Sequence, residues 1–308
     1  MNTNEEIRKG FLVTAEMKKI WQVQLTLLDK LLEVCEKHGL KVWGDGGTML
    51  GTVREHGYIP WDDDIDMVLL RPDYDKLIQL ADSEFQAPFF LQCAYTDKDY
   101  VNGHAQLRMD GTTALPYNLV ALGRRSHMGI FIDIFPYDAV PNDEDEMKRQ
   151  IARRDEMYNT LQKVANGWDP IHPLSTIKYL LMKKRLPDLY RQFEDLFRAY
   201  PIPENKNLSC FSTHVDLKKF LRDKHWYDET VYLPFEDRMM PLPKDYDAIL
   251  TMQYGDYMTP VKAPSYHGSF WIVDADKPYQ EVLEEHKKEV RKMKRDRLIL
   301  RIKKIFRK

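Results

Sequence analysis

The chain has 308 residues, with 46 Lys and Arg against 48 Asp and Glu, so it is long enough for a substantial apolar core in one large or two small domains. Cys35, Cys93 and Cys210 are scattered and form neither a CxxC nor a zinc spacing, which argues against a disulfide framework and for a reducing cytoplasm. The polar stretch Met1-Asn2-Thr3-Asn4-Glu5-Glu6 is unlike a signal peptide, and no apolar run approaches a membrane-spanning length.

Residues Phe11 to His38 read as a long amphipathic helix, with Ile20, Leu27, Leu28, Leu31, Leu32 and Cys35 at three- and four-residue steps and Gly39 as its stop. This stripe reads as core. A short apolar strand, Leu40 to Trp43, then enters the turn Gly44-Asp45-Gly46-Gly47-Thr48. Glycines let backbone N–H groups approach a phosphate, and a helix starting just beyond them adds free donors and a favourable dipole. Gly46, Gly47 and Thr48 are therefore a candidate phosphate cradle, with Arg54 a candidate clamp on a phosphoryl oxygen. A lone Gly-Gly-Thr more often only reverses the chain.

The segment Trp61-Asp62-Asp63-Asp64-Ile65-Asp66-Met67-Val68-Leu69-Leu70 changes that balance. Four carboxylates precede an apolar run that reads as a buried strand. Alternation along the strand puts Asp64 and Asp66 on one face at its mouth, with Asp62 on the same face and Asp63 pointing away to cap or position the loop. Neighbouring carboxylates repel unless a cation lies between them, and all-oxygen ligands favour Mg²⁺ or Mn²⁺ over zinc. The bland alternative is a solvated acidic turn. A glycine cradle one turn and helix upstream favours the metal.

Downstream, Pro72 opens a helix, and Phe89 to Gln92 and Ala105 to Met109 read as strands. Ile130 to Phe135 is a strong strand, expected to end at Pro136. Residues 143–200 carry helical periodicity, with breaks near Trp168-Asp169-Pro170 and Pro201-Ile202-Pro203, and 205–270 return to short strands, turns and aromatics. This mixed order predicts an α/β (α+β) fold: a mixed sheet flanked by helices, with a helical insertion. The units are 1–142 as catalytic core, 143–204 as insertion, 205–285 as the aromatic-rich remainder of the catalytic unit and 286–308 as a basic tail. From Lys287 to Lys308, twelve Lys or Arg stand against Glu289 and Asp296, so the tail carries +10 and the rest of the chain −12. Leu298 to Phe306 is basic and amphipathic, which suits an anionic membrane surface or, more blandly, a solvated terminal helix. An acidic body disfavours nucleic acid.

Gly46-Gly47-Thr48-x-Leu50-Gly51-x-x-Arg54 followed by Gly57-Tyr58-Ile59-Pro60-Trp61-Asp62-Asp63-Asp64-Ile65-Asp66 resembles the signature of the LicD family, which includes fukutin and the fukutin-related protein within the nucleotidyltransferase superfamily. Similarity continues at Gly129-Ile130-Phe131-Ile132-Asp133-Ile134-Phe135-Pro136-Tyr137-Asp138, Phe235-Glu236-Asp237, Pro241-x-Pro243-x-x-Tyr246-Asp247 and Tyr254-Gly255-Asp256-Tyr257-Met258. The family pattern has a Lys near position 106, where this chain carries Gln106; Arg108 is the alternative cation. The resemblance implies a nucleotidyltransferase-like core and a third metal-side carboxylate on a neighbouring strand. Asp133 is the best candidate, since an Asp among strong β-formers is costly to bury unless paired or metal-bound. It can bind metal, act as general base, or be a structural cap. His127 is a candidate base or phosphate donor, with His104 and His267 weaker ones. Glu236 and Asp237 are acceptor-side or supporting candidates.

What the resemblance implies chemically is metal-dependent transfer of phosphocholine, or a similar phospho-alcohol, from a CDP-linked donor (CDP-choline favoured) to a hydroxyl of a cell-surface glycan or its lipid-linked precursor, releasing CMP. The expected location is the cytoplasm, at the inner face of the membrane if the tail binds there. Two other readings stay open: a nucleotidyltransferase acting on a small molecule or protein, and a catalytically silent glycan-binding or scaffold protein. A DxD glycosyltransferase is disfavoured by the glycine cradle upstream of the acids.

Overall fold

The computed structural model describes residues 2–98, 100–123, 126–167, 175–213, 220–261 and 270–306. His267 and the expected break at Trp168-Asp169-Pro170 lie outside them.

A small hairpin, β1 (Glu6–Arg8) with β2 (Phe11–Val13), precedes α1 (Ala15–His38). The helix expected from Phe11 starts later because Thr14 takes the N-cap, its hydroxyl accepting from the Met17 N–H. Gly39 ends the helix in the left-handed conformation. The inner face of α1 buries Trp21, Leu25, Leu28, Leu31 and Cys35 in the main core.

That core is built on a seven-stranded mixed sheet. Strand β3 (Trp43–Gly44) runs antiparallel to β4 (Asp66–Leu70), with α2 (Gly46–Glu55) between them, and α3 (Arg71–Gln79) and α4 (Ala81–Glu84) follow. Strands β5 (Phe89–Gln92) and β6 (Ala105–Met109) form an antiparallel pair. Strand β7 (Thr113–Pro116) and helix α5 (Tyr117–Leu122) come next, and then β8 (Phe131–Val140), which pairs parallel with β4.

Pro136 does not end β8. The Asp133 N–H donates toward β4, to the Ile65 carbonyl, so the even positions 132, 134 and 136 face the other edge. Along that edge β6 covers residues 131–134, and β9 (Asn207–Ser209) covers 138–140. Pro136 falls in the gap between these two partners, where no ladder donor is needed.

Helices α6 (Glu144–Asn166), α7 (Ser175–Met182) and α8 (Leu186–Arg198) surround a second cluster that includes Leu161, Val164, Tyr190, Phe193 and Phe197. Strand β10 (Arg222–Asp223) pairs with β9 at the sheet edge, and β11 (Thr230–Phe235) with β12 (Arg238–Pro243) makes a hairpin. The region read as strands and turns also holds a helix, Tyr246–Tyr254. Strand β13 (Phe270–Asp274) pairs with β7. The basic tail is helical over Lys287–Phe306, and Val290 and Met293 pack near Val120, Met128 and Val282 in a third cluster. Among the described residues no helix is long and apolar enough to cross a membrane.

Candidate active site

The parallel register of β4 and β8 sets Asp66 directly beside Asp133. The Asp45 N–H donates to the Asp66 carbonyl at 3.0 Å, so the start of α2 meets the same strand end. Thr48, in the first turn of α2, accepts the Asp66 N–H on its hydroxyl at 2.9 Å. Its side chain therefore anchors the acidic strand, while its backbone stays part of the helix start.

Two glycines open this turn for steric reasons. Gly46 has φ +52°, and a Cβ there would lie 3.3 Å from a carboxylate oxygen of Asp66. A Cβ on Gly47 would lie 2.6 Å from the Asp62 carboxylate. Cradle and acids thus share one space. Asp45 sits at the N-cap without capping: its Oδ2 accepts from the Tyr137 hydroxyl at 2.6 Å, and its buried Oδ1 has no hydrogen-bond partner among the described residues. The first N–H groups of α2 have no intrahelical acceptor, and a helix start of this kind favours an anion.

The acidic loop is held from behind by α1. Trp21 donates its indole N–H to the Asp62 carbonyl at 3.2 Å, and Gln24 its amide to the Asp63 carbonyl at 2.7 Å. Tyr58 stacks on Trp21 with ring centroids 4.4 Å apart and donates to Gln24. Ligand-type oxygens of Asp62, Asp63 and Asp64 lie within 4.8 Å of one another. The expectation that Asp63 points away is therefore corrected. Strand geometry begins only at Asp66, so strict alternation does not govern residues 62–64.

Burial pushes the Asp66 carboxyl well above the usual carboxylate range, and the charges of Asp64, Asp133, Asp45 and Asp62 push it the same way. Asp66 and the four carboxylates that act on it are hard oxygen donors of the kind a divalent cation takes, and among the described residues Asp62, Asp63 and Asp64 are the three whose ligand oxygens lie within 4.8 Å of one another.

Asp133 is oriented from the opposite side. Gln106, its cross-strand partner, donates to Oδ1 at 2.8 Å, and His104 Nε2 lies 2.9 Å from the same oxygen. Arg108 is buried behind them. It donates to the Gln106 amide oxygen at 2.5 Å, to the Gly129 carbonyl at 2.6 Å and to the Gln92 amide oxygen, with its guanidinium 4.5 Å from the Phe131 ring centroid. Desolvation lowers its pKa to about 10. The candidate phosphate cation Arg108 is thus an orienting group that reaches Asp133 through Gln106.

Three further candidates are placed differently from their expected roles. Arg54 lies eight residues along α2 from Gly46, about 12 Å at the helical rise, where it pairs with Glu55 and donates to the Tyr257 carbonyl. It secures the far end of the helix rather than clamping an anion at its start. His127 accepts the Gly129 N–H on Nδ1, so Nε2 carries the proton and donates to Asp110 at 2.8 Å, and the ring stacks on Phe90. Both nitrogens are engaged outside the acidic cluster. Glu236 receives two hydrogen bonds from Arg8 and one from the Tyr58 N–H, and so latches the loop that carries the aspartates. Asp237, half exposed, contacts Arg238.

Asp45 was the residue sequence reasoning passed over. An Asp before Gly-Gly at a helix start reads as an ordinary cap, and only its failure to cap marks it. His104 had no local pattern to raise it above a weak candidate.

Acids on adjacent parallel strands, facing a glycine-opened helix, are an arrangement suited to handling a phosphate. The nucleotidyltransferase domain of the LicD/FKTN/FKRP family matches residues 39–188, which supports a LicD family member. It is 29% identical over 254 residues to the lipopolysaccharide cholinephosphotransferase LicD of Haemophilus influenzae, covering 77% of this chain and 89% of that protein. Shorter similarities reach uncharacterised proteins of Rickettsia prowazekii (31% over 94 residues, 30% of this chain and 32% of that one) and Rickettsia typhi (44% over 66 residues, 21% and 19%).

Proposed function

We propose that this protein is a transferase that moves phosphocholine, or a similar phospho-alcohol, from a CDP-linked donor to a hydroxyl of a cell-surface glycan or its lipid-linked precursor, with CMP leaving. One observation carries the reading: Asp66 and Asp133 stand side by side on β4 and β8, with Asp62 and Asp66 against the Gly46-Gly47 turn. The similarity to a lipopolysaccharide cholinephosphotransferase supports the choice of group and acceptor.

In this proposal Asp64, Asp66 and Asp133 hold Mg²⁺ or Mn²⁺, with Asp62 and Asp45 beside them. Bound there, the cation supplies neutralisation of the donor's diphosphate charge. The N–H groups at the start of α2 bind a phosphate oxygen. Thr48 fixes the backbone of Asp66, and Gln106 with His104 fixes one oxygen of Asp133, so the reacting groups meet without reorganisation. The free oxygen of Asp133 is the candidate acceptor for the glycan hydroxyl proton. His127 and Arg54 have no part in this chemistry. The exposed apolar residues Leu298, Ile299, Leu300 and Ile302 on the basic terminal helix support peripheral contact with an anionic membrane, where a lipid-linked acceptor would lie.

The test is product analysis with purified protein, Mg²⁺, CDP-choline and a glycan acceptor. CMP release coupled to acceptor labelling is expected, abolished by Asp64→Ala or EDTA. Pyrophosphate release from a nucleoside triphosphate, with no turnover of any CDP-alcohol, would replace this reading with nucleotidyl transfer.

A further inference from the structure

The helix α7 is apolar on two sides. Tyr179 and Met182 face inward, against the cluster of α6 and α8. Ile177, Leu180 and Leu181, spaced i, i+3, i+4, form a separate stripe and are 65%, 55% and 74% exposed. A helix apolar all round is normally buried, so this outer stripe calls for a cover.

The surrounding charge indicates what covers it. Lys178 lies beside the stripe and is exposed, and Lys183, Lys184 and Arg185 follow in an exposed 3₁₀ turn at its end. No Asp or Glu occurs between Asp169 and Asp188. A protein partner would not by itself explain both a protruding aliphatic stripe and a run of exposed Lys and Arg with no acid in the same segment. An anionic bilayer surface accounts for both, because aliphatic side chains enter the headgroup boundary while Lys and Arg meet lipid phosphates.

We propose that α7 and the turn after it form a membrane-docking element that inserts Ile177, Leu180 and Leu181 into an anionic lipid surface. This element is separate from the basic terminal helix, and it does not depend on which group the enzyme transfers.

The experiment uses full-length Leu181→Cys carrying an environment-sensitive fluorophore. Cys35, Cys93 and Cys210 are buried, so the new thiol is the accessible one. With vesicles of equal phosphatidylcholine and phosphatidylglycerol the probe should brighten and shift to the blue, and with phosphatidylcholine alone it should change little. The triple variant Lys178→Glu/Lys184→Glu/Arg185→Glu should bind the anionic vesicles on the order of 100-fold more weakly. Removal of residues 287–308 should leave the probe's blue shift intact. An unshifted probe on anionic vesicles, or binding indifferent to the charge reversals, would overturn the proposal. So would concentration-dependent dimerisation that Leu181→Ser abolishes, which would make the cover a second copy of the chain.

Discussion

Replacing Gly47 by Ala should separate stability from activity. Gly47 lies in the first turn of α2 at a backbone conformation open to alanine, since its φ is not in the positive range. Gly→Ala at a compatible position stabilises by about 0.4–1 kcal/mol through the unfolded chain. For a chain of this size that amounts to a rise in Tm of roughly 0.5–1.5 °C. The new methyl would meet the Asp62 carboxylate at 2.6 Å, against the 3.4 Å at which ordinary contact begins. The carboxylate must therefore retreat by about 0.8 Å, which a short terminal group does at little cost to the fold. A displacement near 1 Å can cost up to about 100-fold in rate, equivalent to about 2.7 kcal/mol of transition-state stabilisation. Thermal melts in EDTA, Mn²⁺ titration by electron paramagnetic resonance and CMP release should show a stable variant with weakened metal affinity and a ten- to hundredfold slower turnover. Full activity and unchanged Mn²⁺ affinity would refute the claim that the glycine turn and the acids share one space. Gly46→Ala offers the contrast: at φ +52° it should lose about 1–2 kcal/mol of stability as well.

The metal-free protein should respond to pH through Asp66. Its folded pKa is raised, so its contribution to stability is complete below the ordinary carboxylate value and is lost as pH rises through the folded one. Asp66→Asn should accordingly raise the Tm in EDTA at neutral pH while abolishing turnover, and an unchanged Tm would count against the buried-charge account. His127 behaves oppositely. Burial depresses its pKa, so its contribution is present above about pH 6.5 and lost as pH falls through the folded value; His127→Asn should keep near-normal turnover at pH 7.5 and show a shallower fall in Tm on acidification. Arg8→Ala removes both hydrogen bonds to Glu236 and should cost about 2–3 kcal/mol, at or below the low end for a buried pair because Arg8 is partly exposed, measured by urea denaturation. Arg108→Lys should be destabilised by about 1.5–3 kcal/mol, because one ammonium cannot serve three acceptors set for a planar guanidinium; stability within 0.5 kcal/mol of the parent, by the same denaturation, would deny Arg108 its orienting role.

Local chemistry made much of the site readable from the chain alone. Glycines before a threonine, and aspartates before an apolar run, announce a turn and a strand mouth because backbone freedom and side-chain alternation are properties of neighbours in sequence. The strands at Phe89–Gln92 and Ala105–Met109 were legible for the same reason, as was the mixed fold. Partnership across the sheet was not. Pro136 looks like a strand end until β6 and β9 leave a gap for it, and Asp63 looks outward until the loop is seen to start its strand late. Arg54 and Arg108 read as phosphate cations because charge is visible in sequence, whereas their engagement by Glu55, Tyr257, Gln92, Gly129 and Gln106 depends on segments up to 203 residues away. The sequence by itself named groups whose chemistry would suit the proposed reaction. Only the tertiary structure decided which of them face one another, because the register of β4 on β8 and the packing of α1 behind the loop are set by burial of the whole core rather than by any single stretch of chain.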